Sequence, residues 1–121
     1  MIDKNWAEEF AKEWIEAWNS HDLERIFSHY TDDFEMSSPL IIERMNEPSG
    51  TLKGKDKIRP YWKNGLKQTP DLHFELENVL VGAKSLTILY KNQKNQQVAE
   101  ILIFNEEGKA VSGNAHYGKN R

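Results

Sequence analysis

Val98-Ala99-Glu100-Ile101-Leu102-Ile103-Phe104 reads as a strand that is apolar at both parities, with one carboxylate at its centre. A lone antiparallel layer usually leaves one face wet and alternates accordingly, so a strand apolar on both sides belongs to a sheet covered on both faces. The residues on either side supply that sheet. Leu72, Phe74 and Leu76 alternate with His73, Glu75 and Glu77, and the phase then slips to Val79 and Val81, which places a bulge near Asn78. Turn signals at Gly82-Ala83-Lys84, Gln93-Lys94-Asn95 and Asn105-Glu106-Glu107-Gly108 separate strands at about 85–92, 97–104 and 109–117. The last fifty residues are therefore expected to form a four-strand antiparallel meander.

The first seventy residues carry helical periodicity instead. Trp6, Ala7, Phe10, Ala11, Trp14, Ile15, Ala17 and Trp18 fill one half of a helical wheel, and Glu8, Glu9, Lys12, Glu13 and Glu16 the other. Asn19-Ser20-His21 breaks this helix, and Asp22 caps a second in which Leu23, Ile26, Phe27 and Tyr30 recur at helical spacing. Thr31-Asp32-Asp33 turns into a strand whose Phe34, Met36 and Ser38 share a face, and Pro39 ends it. Residues 40–54 are irregular yet rich in Leu40, Ile41, Ile42 and Met45, which predicts a packed flap over a cavity mouth. A third helix is expected near Asp56, with Ile58, Tyr61, Trp62 and Leu66 on its buried side. Three helices cover one face of the sheet, and a second copy of the chain is the simplest cover for the other, so a homodimer is expected.

The chain has 121 residues, 38% of them hydrophobic, which suits one domain over residues 1–121. Sixteen basic and nineteen acidic residues are scattered and give a charge of −3, a pattern that disfavours nucleic acid and anionic membranes as partners. With no cysteine, thiolate chemistry and cysteine-ligated metal are excluded. No apolar stretch has signal-peptide or membrane-span length, and cytoplasm is the expected location.

Trp18-Asn19-Ser20-His21-Asp22-Leu23 with Tyr30-Thr31-Asp32-Asp33-Phe34 resembles the first helical hairpin of the nuclear transport factor 2-like superfamily. Gly54-Lys55-Asp56-Lys57-Ile58 is similar to the opening of its third helix, and Asn105-Glu106-Glu107-Gly108-Lys109 with Ala115-His116-Tyr117-Gly118 to its final hairpin. The resemblance implies an α+β, cystatin-like cone in which three N-terminal helices pack on a curved, mainly antiparallel sheet. It is closest to the SnoaL-like and ketosteroid-isomerase-like branches, which implies a pocket between helices and sheet, acid–base chemistry and no cofactor. Carried over by position, the isomerases' oxyanion-hole acid falls on Glu100. Their general-base aspartate falls on Ser38, a hydroxyl that does not accept protons near neutral pH. Two phenol donors of that family fall on Trp14 and Trp62.

A buried carboxyl is costly in its charged form, so Glu100 is the candidate acid, against a structural role in an ion pair or at a sheet edge. His116 is the candidate replacement base, because imidazole is the side chain whose unperturbed pKa suits neutral pH; alternation alone leaves open whether it faces the pocket. Trp14, Trp18, Tyr30, Met36, Ser38, Trp62 and Phe74 are the candidate pocket wall for a small apolar ligand, with ordinary core as the alternative. His21 and His73 read as solvent-facing, and His29 as complementing a helix end. No set with metal-ligand spacing is present. The expected function is an isomerase or cyclase acting on an apolar carbonyl compound; the alternative is a non-catalytic ligand-binding or protein-interaction module.

Overall fold

The computed structural model of the chain describes residues 2–119. Helix α1, Lys4–Ser20, starts at Asp3, whose carboxylate accepts the Trp6 N–H at 2.9 Å, and stops at His21 in the left-handed conformation. Helix α2, Leu23–Phe27, is capped by Asp22. Arg25 donates through Nε and Nη2 to the two carboxylate oxygens of Glu13 at 3.0 and 2.7 Å, and His29 Nε2 meets the same group at 3.0 Å, fixing α2 against α1.

Strand β1, Tyr30–Ser37, begins four residues earlier than the apolar pattern implies. Tyr30 therefore opens a strand rather than ending a helix. The expected irregular flap is also corrected. Ser38 Oγ accepts the Leu40 N–H at 3.2 Å and Pro39 occupies the first turn, so helix α3 runs from Pro39 to Met45 and ends at Asn46 in the left-handed region. Strand β2, Thr51–Lys53, then pairs antiparallel with β1 as a short edge. Helix α4 spans Lys55–Gln68 and buries Ile58, Tyr61 and Trp62.

The meander follows as β3, Glu75–Val81, β4, Ser85–Lys91, β5, Gln97–Phe104, and β6, Ala110–Tyr117. The β3–β4 register shifts between Leu76 and Asn78, close to the expected bulge. Strand order is β2-β1-β6-β5-β4-β3, with β1 and β6 parallel and every other pair antiparallel. The fold is α+β, with helices on one face of a curved six-stranded sheet. Helix α1 crosses the β3 side, and α2 and α4 cover β1.

Sheet register decides what the helices meet. Ile88 pairs with Glu100 and Glu100 with Ala115, so the inner face carries Leu86, Ile88 and Tyr90 from β4, Val98, Glu100 and Leu102 from β5, and Gly113, Ala115 and Tyr117 from β6. The outer face carries Thr87 and Leu89, then Ala99, Ile101 and Ile103, then Asn114 and His116. Gly113 is required by close approach: a Cβ there would lie 3.0 Å from Met36 Sδ and 3.2 Å from Leu102 Cδ2. No helix among the described residues is long and apolar enough to cross a membrane.

Candidate active site

A cavity of about 490 Å³ opens between the helices and the inner face of the sheet. Trp14 and Trp18 border it from α1, Tyr30 and Met36 from β1, Tyr61 and Trp62 from α4, and Phe74 from the segment before β3. The sheet contributes Tyr90, Glu100 and Tyr117. All four tyrosines of the chain thus border one cavity. The aromatic wall is continuous. Phe74 lies 4.3 Å from Tyr90 and 6.0 Å from Trp14 between ring centroids, Trp18 meets Trp62 edge-on at 5.0 Å, and Tyr30 meets Trp62 at 5.3 Å. Asn19 holds Phe74 in place through both sides of its amide, donating to the Phe74 carbonyl at 2.9 Å and accepting the Phe74 N–H at 2.7 Å.

Glu100 is 5% exposed and sits at the centre of the floor. On β4 and β6 the residues directly across from it are Ile88 and Ala115, while Tyr90 and Tyr117 stand two residues further along, on the two diagonals. The Tyr90 hydroxyl donates to Glu100 Oε1 at 3.2 Å. The second oxygen, Oε2, is buried and has no hydrogen-bond partner. Burial pushes the Glu100 carboxyl up to about 8 against the smaller opposing effect of the Tyr90 hydrogen bond, and no cation contributes. The protonated form is therefore favoured at neutral pH.

The phenols are shifted away from neutrality. Burial raises Tyr30, Tyr61, Tyr90 and Tyr117, and the charged form of Glu100 raises all four further. They remain O–H donors at any physiological pH. The Trp14 indole N–H donates to the Tyr30 hydroxyl at 2.9 Å, which leaves that phenol's own proton free to turn toward the cavity. The Trp14 indole is thus a donor that orients another.

Two sequence expectations need correction. His116 is exposed and pairs with Ala99 on the outer face, so the sheet lies between it and the cavity. Ser38 is buried but does not border the cavity; its hydroxyl caps α3. The other expected wall residues, Trp14, Trp18, Tyr30, Met36, Trp62 and Phe74, do come together around Glu100. Tyr90 and Tyr117 escaped the sequence reading, although each shares strand parity with residues that flank Glu100. His21 Nε2 lies 2.9 Å from the Leu72 carbonyl, and His73 is exposed. Among the described residues no group of three histidines or carboxylates is placed to hold a metal.

The sequence profile of the SnoaL-like domain matches residues 11–112. The chain belongs to the SnoaL-like family. A SnoaL-like protein of unknown function from Burkholderia thailandensis E264 shares 44% identity with it over 98% of both chains, at a TM-score of 0.95. More distant structures share the fold. An NTF2-like protein of unknown function from Cytophaga hutchinsonii ATCC 33406 is 10% identical over 93% of this chain and 89% of its own, at a TM-score of 0.70. SalBIII, an epoxide hydrolase/cyclase-like enzyme with a role in pyran ring formation in the polyether salinomycin, is 18% identical over 98% and 95%, at 0.73. No curated protein matches the sequence significantly. The floor of this chain's cavity offers one carboxyl with a raised pKa among four neutral phenols.

Proposed function

We propose that this SnoaL-like protein is a cofactor-independent isomerase or cyclase of an apolar carbonyl compound, with Glu100 as its proton carrier. The observation that carries this reading is the placement of Glu100, with one oxygen on Tyr90 and the other buried, unpartnered and within the cavity lining. The Glu100 carboxyl changes charge near neutral pH, whereas the phenols around it stay protonated. One such group suits reactions that return the proton they borrow. In a cyclisation, the acid form of Glu100 protonates the carbonyl oxygen, a hydroxyl of the same substrate attacks the carbonyl carbon, and its proton returns to the Glu100 carboxylate. In an isomerisation, the returning proton comes from the carbon beside the carbonyl, giving a dienol; Glu100 then protonates its γ carbon and takes back the hydroxyl proton, leaving the conjugated ketone and the acid form restored. Neither needs His116 or a base at Ser38. Tyr30 and Tyr117 are neutral donors for the developing oxygen charge.

Turnover of a β,γ-unsaturated cyclic ketone, followed by the absorbance of its conjugated product, tests this reading. Glu100→Gln should lower the rate about 10²–10⁴-fold, the usual contribution of one positioned acid or base. The wild-type rate should fall as pH climbs through about 8, where the acid form is lost. A rate indifferent to Glu100 would favour the second reading, a binding module. That reading is supported by His116 standing on the far side of the sheet, which leaves the carboxyl without a partner base.

The outer face supports an assembly. Leu80 and Ile103 are 50% and 44% exposed there, beside half-buried Leu89 and Ile101. A second copy packed on this face would cover them and form a homodimer with its two cavities turned outward.

A further inference from the structure

Beyond the aromatic cavity lies a second one of about 430 Å³ with a polar wall. Five residues border both, Arg44, Gly65, Thr69, Gln93 and Lys94, so the second cavity is a vestibule to the first. Its charged groups are Arg44, Lys94 and Asp71, a balance of one positive charge. Among the described residues neither Arg44 nor Lys94 makes an ion pair.

The two cations stand on different elements at the vestibule wall. Arg44 extends from the last turn of α3 across to α4, where its Nη1 would lie 3.7 Å from a Cβ at Gly65; the bare glycine leaves room for the guanidinium. Arg44 is exposed yet borders both cavities, near enough to the Tyr61 and Tyr117 phenols for its charge to act on them. Lys94 rides the β4–β5 turn, in which Asn92 Oδ1 accepts the N–H groups of Lys94 at 3.0 Å and Gln96 at 3.1 Å.

We propose that the vestibule binds a carboxylate, so that the substrate class is a carbonyl compound with an apolar body and a terminal monoanionic carboxylate. This rests on the pocket reading above. The aromatic cavity takes the body and presents the carbonyl to Glu100, while Arg44 offers its planar fork to the carboxylate and Lys94 adds a second charge. One net positive charge matches a monoanion better than a doubly charged phosphate. Anchoring the far end also fixes which way round the substrate enters, and so which carbon faces Glu100.

Titration of tryptophan fluorescence at neutral pH with 6-phenylhexanoate and with 6-phenylhexan-1-ol tests the proposal, since Trp14, Trp18 and Trp62 line the cavity. The acid should bind more tightly than the alcohol, and added salt should weaken the acid alone. Arg44→Met should cost the acid roughly five- to tenfold and Lys94→Met roughly threefold, each leaving the alcohol unchanged. Asp71→Asn should tighten the acid about twofold, which guards against a loss caused by disturbed folding. Equal binding of the two probes, with equal response to Arg44→Met, would overturn the carboxylate site and leave the pocket reading standing. Failure of both probes to bind would overturn the two together.

Discussion

Along β5 successive residues serve two surfaces with opposite needs. Glu100 and Leu102 face the helices, where Leu102 is fully buried and Glu100 is the polar exception at the cavity floor. Ala99, Ile101 and Ile103 face the other way, where Ile103 is nearly half exposed although nothing polar relieves it. The inner face tolerates a carboxyl because a phenol and a cavity receive it. The outer face tolerates exposed isoleucine only at the cost of hydrated apolar surface, which a partner would remove. An ionisable group on an inner face thus points to chemistry, and an apolar group on an outer face points to association.

The largest expected effect tests the inner face. The Glu100 carboxyl is raised from an ordinary value of 4.5 to about 8, so the folded state holds this proton more tightly than the unfolded chain. Its contribution to stability is complete below pH 4.5, declines as pH climbs, and is lost by about pH 8. Relative to acid conditions the group then costs roughly 4–5 kcal/mol at pH 9. Glu100→Gln keeps the shape without the charge. The difference in unfolding free energy between variant and wild type, from denaturant titrations at pH 4.5 and pH 9, should grow in the variant's favour by about that amount. A variant that loses 3–5 kcal/mol at pH 9 would show that Glu100 serves a buried cation and would break the contrast between the faces.

The outer face is tested next. Ile103→Arg places a charge where two copies would meet across the sheet, and like charges opposed in an interface cost several kcal/mol. The proposed dimer should weaken at least about a hundredfold in sedimentation equilibrium, with the monomer still folded. A wild-type chain that sediments as a monomer of 14.1 kDa at micromolar concentration would refute the outer face as an interface.

The two faces were not equally legible in the sequence. Glu100 announced itself, because a carboxylate among six apolar residues of one strand needs no register to be noticed. Tyr90 and Tyr117 did not, since only the pairing of Ile88 and Ala115 with Glu100 brings them onto its diagonals. Alternation assigned Gly113, Ala115 and Tyr117 to one side and Asn114 and His116 to the other, but parity carries no sign. The sign comes from packing: Gly113 is the residue without a side chain, and Met36 and Leu102 occupy the space that leaves. Helix α3 was hidden for a local reason. Ser38-Pro39 is both a good strand stop and a good helix start, and the two readings diverge only once Leu40 and Ile41 find α4 and β2 to pack on. Arg44 was illegible as a site residue, because scattered surface charge acquires meaning only from the cavity it borders.

A smaller effect follows from that packing. Gly113→Ala introduces a methyl that meets Leu102, which is fully buried and cannot retreat, and Met36, which is flexible and can. The cost should be about 1 kcal/mol in unfolding free energy, less than for overpacking against rigid neighbours. Met36 also borders the cavity, so its displacement should weaken 6-phenylhexan-1-ol. An unchanged protein would show that the inner face at Gly113 has slack.

The smallest effect is the sharpest test of the division. His116 has the one side chain type whose ordinary pKa suits proton transfer at neutral pH, and it lies a single residue from Ala115, which stands directly opposite Glu100. Sequence distance would make it the obvious base. Yet its pairing with Ala99 turns it through the sheet into solvent, and a general base must reach its proton within hydrogen-bond distance or through one water. His116→Ala should therefore change stability by less than about 0.5 kcal/mol, as exposed substitutions do. Turnover of the ketone and its pH profile should match the wild type, the inflection near 8 included. A tenfold loss of rate, or a second inflection in the profile that vanishes with the histidine, would mean that the outer face takes part in the chemistry after all.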